Sequence, residues 1–186
     1  MNKLIIKQQE FNGLVAKICR DIVSSEWRPD YIVGITRGGL WPAVMISQYF
    51  DVPMQTLKVS LRDNDGSDSE SNLWMADDAL GYVSSEDREF SEGDPATDLN
   101  KKNILIVDDI NDTGATLNWI MKDWQGSCLP SNLGWNHVWN NNVRFAVMVD
   151  NLSSNCDVKM DYVGMEVNKA EHDVWIEFPY EEWWTK

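Results

Sequence analysis

The sequence predicts an α/β fold, a parallel sheet flanked by helices, on three observations. Short aliphatic runs, "YIVGI", "NILIV" and "VRFAVMV", each have the length and apolarity of a strand buried on both faces. Segments with apolar residues at helical spacing separate them. Strands that alternate with helices need crossover connections, which are right-handed and lay the helices on the sheet faces. With 186 residues and 21.4 kDa the chain suits one domain, 1–186, and a domain of this size buries roughly 70% of its unfolded surface.

Residues 8–26 place Phe11, Leu14, Val15, Ile18, Cys19, Ile22 and Val23 on one stripe of an amphipathic helix. A strand at Tyr31–Ile35, a Gly-Gly turn and a helix over Leu40–Phe50 follow, with Pro42 in the helix's first turn, where proline is tolerated. "PMQTLKVSL" at 53–61 reads as the next strand. Residues 62–102 are acidic, Ser- and Gly-rich and without sustained periodicity, which predicts a long connection with room for a short hairpin. "NILIVDD" is a buried strand and "TGATLNWIMKDW" the helix after it. The polar stretch 125–142 connects to strands at 143–151 and around "KMDYVGMEV", before an aromatic end, "HDVWIEFPYEEWW".

Composition narrows the function classes. Thirty acidic against sixteen basic side chains give a net charge of -14 and no Lys/Arg block to track phosphates, which excludes nucleic acid and anionic membranes as partners. Cys19, Cys128 and Cys156 are odd in number and far apart, so neither a disulfide framework nor a zinc site is expected. The opening "MNKLIIKQQEFNGL" has too short an apolar run for a signal peptide, and no segment approaches eighteen apolar residues. The expectation is a soluble cytoplasmic protein with reduced thiols.

Chemistry concentrates in "NILIVDDINDTGATLNWI", where Asp108, Asp109 and Asp112 precede a small turn. Open α/β sheets bind ligands beyond the carboxyl ends of their strands, where these acids lie. The turn Thr113-Gly114-Ala115-Thr116 leads into a helix, so its N–H groups and hydroxyls can cradle a phosphate at the positive helix end. It lacks the lysine and spacing of a Walker loop, and the acids lack the spacing of an EF-hand. Three readings stay open at this level: Asp112 as a helix N-cap beside two ordinary strand-end acids, a carboxylate-held Mg²⁺ in a hydrolase, and a sugar-phosphate site.

The pattern of four hydrophobic residues, two acids, two variable positions, Asp-Thr-Gly, a small residue and Thr in "ILIVDDINDTGAT" resembles the phosphoribosyl-diphosphate (PRPP) motif of type I phosphoribosyltransferases. Two further segments match in order. "GITRGG" at 34–39 is similar to that family's diphosphate loop, and "DVWIEFPYE" at 173–181 to the C-terminal hood of xanthine-guanine and related purine members. The resemblance spans 31–181. It implies a type I phosphoribosyltransferase fold with a hood over 161–186 and a flexible catalytic loop over 62–102, here longer and more acidic than usual and without the Ser-Tyr pair some members carry.

By that resemblance the chain is a glycosyltransferase that moves 5-phosphoribosyl from PRPP to a purine base with Mg²⁺, giving a nucleoside monophosphate and diphosphate in nucleotide salvage. Asp108 and Asp109 would meet the ribose hydroxyls, and Asp112, Thr113, Gly114, Ala115 and Thr116 the 5′-phosphate. Thr36, Arg37, Gly38 and Gly39 would meet the diphosphate. Mg²⁺ would be carried mainly by the substrate, with Asp108 and Asp109 as candidate ligands. Asp112 would serve as the catalytic base at purine N7, Trp175 would stack on the base, and Ile176 would line its site. A dimer or tetramer is implied.

One departure is plain. Many 6-oxopurine members carry a lysine for the base O6 at the end of the strand after the PRPP helix, where this chain has Asp150 or Asn151. Asp150 would accept from an exocyclic amine, or be a plain surface acid, or Lys159 or Lys169 would reach in from elsewhere. The alternative function is a regulatory protein of this fold that binds PRPP or a nucleotide without turnover.

Overall fold

The computed structural model describes residues 2–61, 69–70, 72–82 and 100–185. In chain order they form β1 (Asn2–Ile5), α1 (Gln8–Ser24), β2 (Tyr31–Thr36), α2 (Leu40–Phe50), β3 (Met54–Lys58), α3 (Leu73–Leu80), β4 (Ile104–Asn111), α4 (Ala115–Ser127), β5 (Val143–Asn151), β6 (Tyr162–Val167) and β7 (Val174–Glu177). Short 3-10 turns occupy Leu133–His137 and Trp183–Thr185.

Five strands make one parallel sheet in the order β3-β2-β4-β5-β6, as the alternation of buried strands and helices predicts. Strand periodicity divides the core between its two faces. Ile104 and Ile106 of β4 join Phe145, Trp124 and Met75 on the side of α3 and α4. Leu105 and Val107 join Phe11, Ile18 and Ile46 on the side of α1 and α2. α1 buries Phe11, Val15, Ile18, Cys19 and Ile22; Val23, expected on that stripe, is 55% exposed because it lies a further 100° round the helix from Ile22.

Three elements differ from the sequence reading. Within 62–102, expected to be irregular, Leu73–Leu80 is a helix that buries Met75, Ala76, Ala79 and Leu80 against the sheet. The acidic flanks hide a local apolar face only two turns long. The hairpin expected in that stretch falls outside the described residues, as do 62–68, 71 and 83–99 of the proposed loop. β1 and β7, neither expected, pair with each other in parallel, Leu4 opposite Ile176, and Lys3 Nζ meets Glu177 Oε2 at 3.0 Å. β7 lies in the 161–186 segment expected as the hood, whereas β6 of that segment belongs to the five-stranded sheet; Phe178, just after β7, packs edge-on against Phe11 of α1 at 6.2 Å.

Candidate active site

β2 and β4 are neighbours, with Gly34 opposite Val107, yet the chain leaves β2 toward β3 on one side and β4 toward β5 on the other. That divergence is a topological switch point, the place where such sheets open a ligand crevice. Both motif loops start there: residues 36–39 after β2, and 112–115 after β4.

The loops are pressed together, and glycine is what allows it. A Cβ on Gly38 would land on the Asp109 carboxylate, and one on Gly39 would strike the Val107 and Ile35 carbonyl oxygens and Asp108 Cα. The Gly-Gly turn is therefore a close approach of backbone to the acidic pair, beyond a mere change of direction. The Thr36–Arg37 peptide is cis. Arg37 is exposed and lines a cavity of about 450 Å³ with Leu40, Trp41, Val44, Met45 and Tyr180. A second cavity, about 510 Å³, is lined by Asn103 and Asn142 at the amino ends of β4 and β5, the wrong end of the sheet for this chemistry.

The two aspartates are not equivalent. Asp108 Oδ1 accepts from the Asp109 amide at 3.0 Å. Asp109 accepts from the Ile110 amide at 2.9 Å through Oδ1 and from the Tyr180 hydroxyl at 2.8 Å through Oδ2. Tyr180 comes from the hood, and sequence reasoning missed it. Burial first, then the charge of Asp109, hold its phenol well above the usual tyrosine range.

The phosphate-type turn is also built from distant pieces. Gly114, at φ +86°, is the residue that starts α4, so Asp112 is not the helix N-cap. A side chain there would meet the left-handed penalty and the backbone of Asn155 and Cys156 as well. The segment after β5 braces the turn. Asn155 N donates to Thr113 O at 3.0 Å, and Asn118 of α4 binds Asn155 O and the Asp157 amide, each at 2.8 Å. Thr113 Oγ1 accepts from Ala115 N at 3.3 Å, and Thr116 sits half-buried in the first turn of α4. The turn stands at the positive end of a 13-residue helix, a site suited to an anion.

Asp112 forms an ion pair with Lys169, Oδ1 to Nζ at 2.8 Å. Lys169 follows β6, so it sits at the carboxyl end of the sheet, whereas Lys159 precedes β6 and lies at the opposite end. Of the two lysines the sequence offered, the fold brings only Lys169 to the acids. Asp150 Oδ1 accepts from Asn111 Nδ2 at 2.8 Å. Asn151, 5% exposed, donates through Nδ2 to the Asp112 carbonyl at 2.7 Å and accepts through Oδ1 from the Lys169 amide at 3.0 Å. Trp175 is 44% exposed on β7, while Ile176 points its side chain into the core and offers an outside ligand only its backbone.

Among the described residues no three His, Cys, Asp or Glu side chains are grouped to hold a metal, and no helix is long and apolar enough to cross a membrane. The donor set that exists at the crevice, Asp108 and Asp109, fits a Mg²⁺ that takes the rest of its shell from substrate oxygens and water.

Comparison with known proteins finds a family for the chain as a whole. The phosphoribosyl transferase domain matches residues 3–182. The chain is 30% identical over 138 residues to hypoxanthine-guanine phosphoribosyltransferase of Schizosaccharomyces pombe, covering 66% of this chain and 60% of that protein. It is 25% identical over 136 residues to xanthine phosphoribosyltransferase 1 of Saccharomyces cerevisiae, covering 65% and 59%. It thus spans about 60% of the length of these curated relatives. Among solved structures, the purine phosphoribosyltransferase of Pyrococcus horikoshii superposes with TM-score 0.61 at 22% identity over 98% of this chain and 96% of that one. The Helicobacter pylori xanthine-guanine-hypoxanthine enzyme gives 0.63 at 17% identity over 99% and 97%, a likeness of fold.

Proposed function

The chain belongs to the phosphoribosyl transferase family, and from that premise we propose that it transfers 5-phosphoribosyl from PRPP to a purine base, releasing diphosphate. The observation that carries the reading is the contact of Gly38 and Gly39 with the Asp108–Asp109 segment, which brings the anion loop against the sugar acids at one switch point. A ligand with a sugar and a diphosphate would span both, as PRPP does, and the Thr113–Thr116 turn adds a place for its 5′-phosphate.

Transfer breaks the bond from ribose C1 to diphosphate while positive charge develops on the sugar. Asp108 and Asp109 suit that charge. Arg37 and the amides of the 36–39 loop would meet the departing diphosphate, where each preorganised donor contributes about 3 kcal/mol of transition-state stabilisation. Mg²⁺, held by substrate oxygens with Asp108 and Asp109, would add Lewis-acid stabilisation of the same anion. The 5′-phosphate is read by the amide and hydroxyl donors at the start of α4.

For the acceptor, Asp112 takes or shares the N7 proton as N9 becomes the nucleophile. Lys169 supplies the cation missing at Asp150. The Hoogsteen edge of a 6-oxopurine presents N7 beside O6, whereas adenine offers an amine there. A carboxylate and an ammonium 2.8 Å apart could pair with either edge, but with Asp112 at N7 the ammonium meets position 6, where a carbonyl accepts and an amine does not. Hypoxanthine, guanine and xanthine are therefore the proposed acceptors, and Trp175 the residue that covers the base plane. A cytoplasmic location agrees with three free cysteines, and a dimer or tetramer would cover the apolar Trp41, Val44 and Tyr49 exposed on α2.

The test is a panel of four purines and two pyrimidines with PRPP and Mg²⁺, followed by diphosphate release. Turnover with 6-oxopurines and not with adenine is the expected result. PRPP binding without turnover on any base would replace this reading by a regulatory one, and no PRPP binding would refute both.

A further inference from the structure

Tyr180, just after β7, bonds through its hydroxyl to Asp109 of the acidic pair, and its ring contacts show no packing need for a hydroxyl. Its ring stacks on Phe178 with centroids 5.5 Å apart and on Trp41 at 5.6 Å, and meets Phe11 edge-on at 6.1 Å. A phenylalanine would fill that stack equally well. The hydroxyl instead reaches Asp109 Oδ2, while the Ile110 amide takes Oδ1. With one donor on each oxygen, the carboxylate cannot turn about its last bond without losing a charge-assisted hydrogen bond. The face fixed in this way is the one against Gly38. One acceptor site on each oxygen remains for other partners.

We propose that Tyr180 is a positioning residue of the sugar site: it sets the Asp109 carboxylate against the 36–39 loop and so couples the hood, which covers the base, to the segments that hold PRPP. The inference rests on the phosphoribosyltransferase reading. Trp41 extends the coupling, because it stands at the start of α2 beside Arg37 and stacks on the same ring. If the bond is lost, one Asp109 oxygen faces an aromatic edge and the carboxylate is free to rotate from its place beside Gly38. The sugar site then loses preorganisation while the base edge formed by Asp112 and Lys169 stays as it was.

The experiment compares wild type, Tyr180→Phe, Asp109→Asn and the double variant by calorimetric binding of PRPP with Mg²⁺ and by steady-state kinetics. Tyr180→Phe is expected to bind PRPP about 10-fold more weakly, to raise the KM for PRPP with the KM for the base unchanged, and to unfold near the wild-type temperature. In the Asp109→Asn background the same substitution should add little, since the group it positions is gone. PRPP binding within twofold of wild type for Tyr180→Phe, or additive losses in the double variant, would overturn the role of Tyr180 and leave the proposed function standing. A wild-type protein that binds no PRPP would overturn both.

Discussion

Asn151 does at residue scale what no charged group could do at that position. With Asp150 it is one of the two positions at which the family resemblance would place a lysine; it is buried and uses its amide to hold two backbones, the Asp112 carbonyl on one side and the Lys169 amide on the other. The ion pair between those two side chains is thus set from behind by one neutral group. Asn151→Ala removes both tethers and leaves a carbonyl and an amide without that partner, which costs about 1–3 kcal/mol of stability and is expected to lower kcat more than it weakens PRPP binding. Denaturant unfolding and single-turnover kinetics separate the two effects. Lys169→Met tests the base edge itself. Loss of a charge-assisted hydrogen bond predicts a fall of about 10- to 100-fold in kcat/KM for a 6-oxopurine, with PRPP affinity retained. An equal fall for PRPP binding would place the lysine at the sugar phosphate instead.

Among elements, α4 depends most on a single residue. Gly114 combines φ +86° with contact against Asn155 and Cys156, so Gly114→Ala must both strain the turn and displace the segment after β5. We expect a loss of about 1–3 kcal/mol, or several degrees in Tm for a chain of this length, together with loss of PRPP binding; a variant that keeps both would show that the turn can shift freely. What the sequence revealed follows the same physics. β2, β4 and β5 are covered on both faces and carry unbroken aliphatic runs, and the motif beside them is contiguous, so strands and acidic turn were legible together. β1 and β7 have four residues each, are half exposed, and are defined by pairing between the two chain ends, which no local pattern encodes. α3 was hidden by its acidic flanks. Tyr180, Asn118 and Asn155 were missed for a related reason: their partners are remote in sequence, and each is an ordinary residue until the fold brings it to the site. Asn142 behaves alike, joining the α3 end at Ala79 O to Lys102 O before β4 at 2.8 and 3.0 Å.

For the whole molecule, a net charge of -14 sets the terms on which an anionic substrate is met. Long-range attraction is absent, so binding relies on local donors: Arg37, the start of α4, and Lys169. The same excess of carboxylates is used to fasten peripheral pieces to the sheet through neutral phenols. Tyr31 of β2 donates to Asp78 of α3 at 3.2 Å, as Tyr180 of the hood donates to Asp109 of β4. Each phenol is held far above the usual 10.0, by burial first and the facing aspartate second. The unfolded chain therefore releases these protons near pH 10 while the folded chain keeps them, and stability must fall as pH rises above about 10. Buried Cys19 and Cys128, pushed up from 9.0 to about 11 and about 12, add to that slope from pH 9 upward. Below pH 9 neither set changes its protonation between the two states, so their contribution is constant down to neutrality. Urea unfolding from pH 8 to 11 should give a flat region and then a decline. A combined Tyr31→Phe and Tyr180→Phe variant should keep only the shallower part owed to the thiols. In native protein at pH 10.5 the 295 nm phenolate signal should lack Tyr31 and Tyr180 until denaturant is added. A full native signal at that pH would mean that α3 and the hood detach before the core opens.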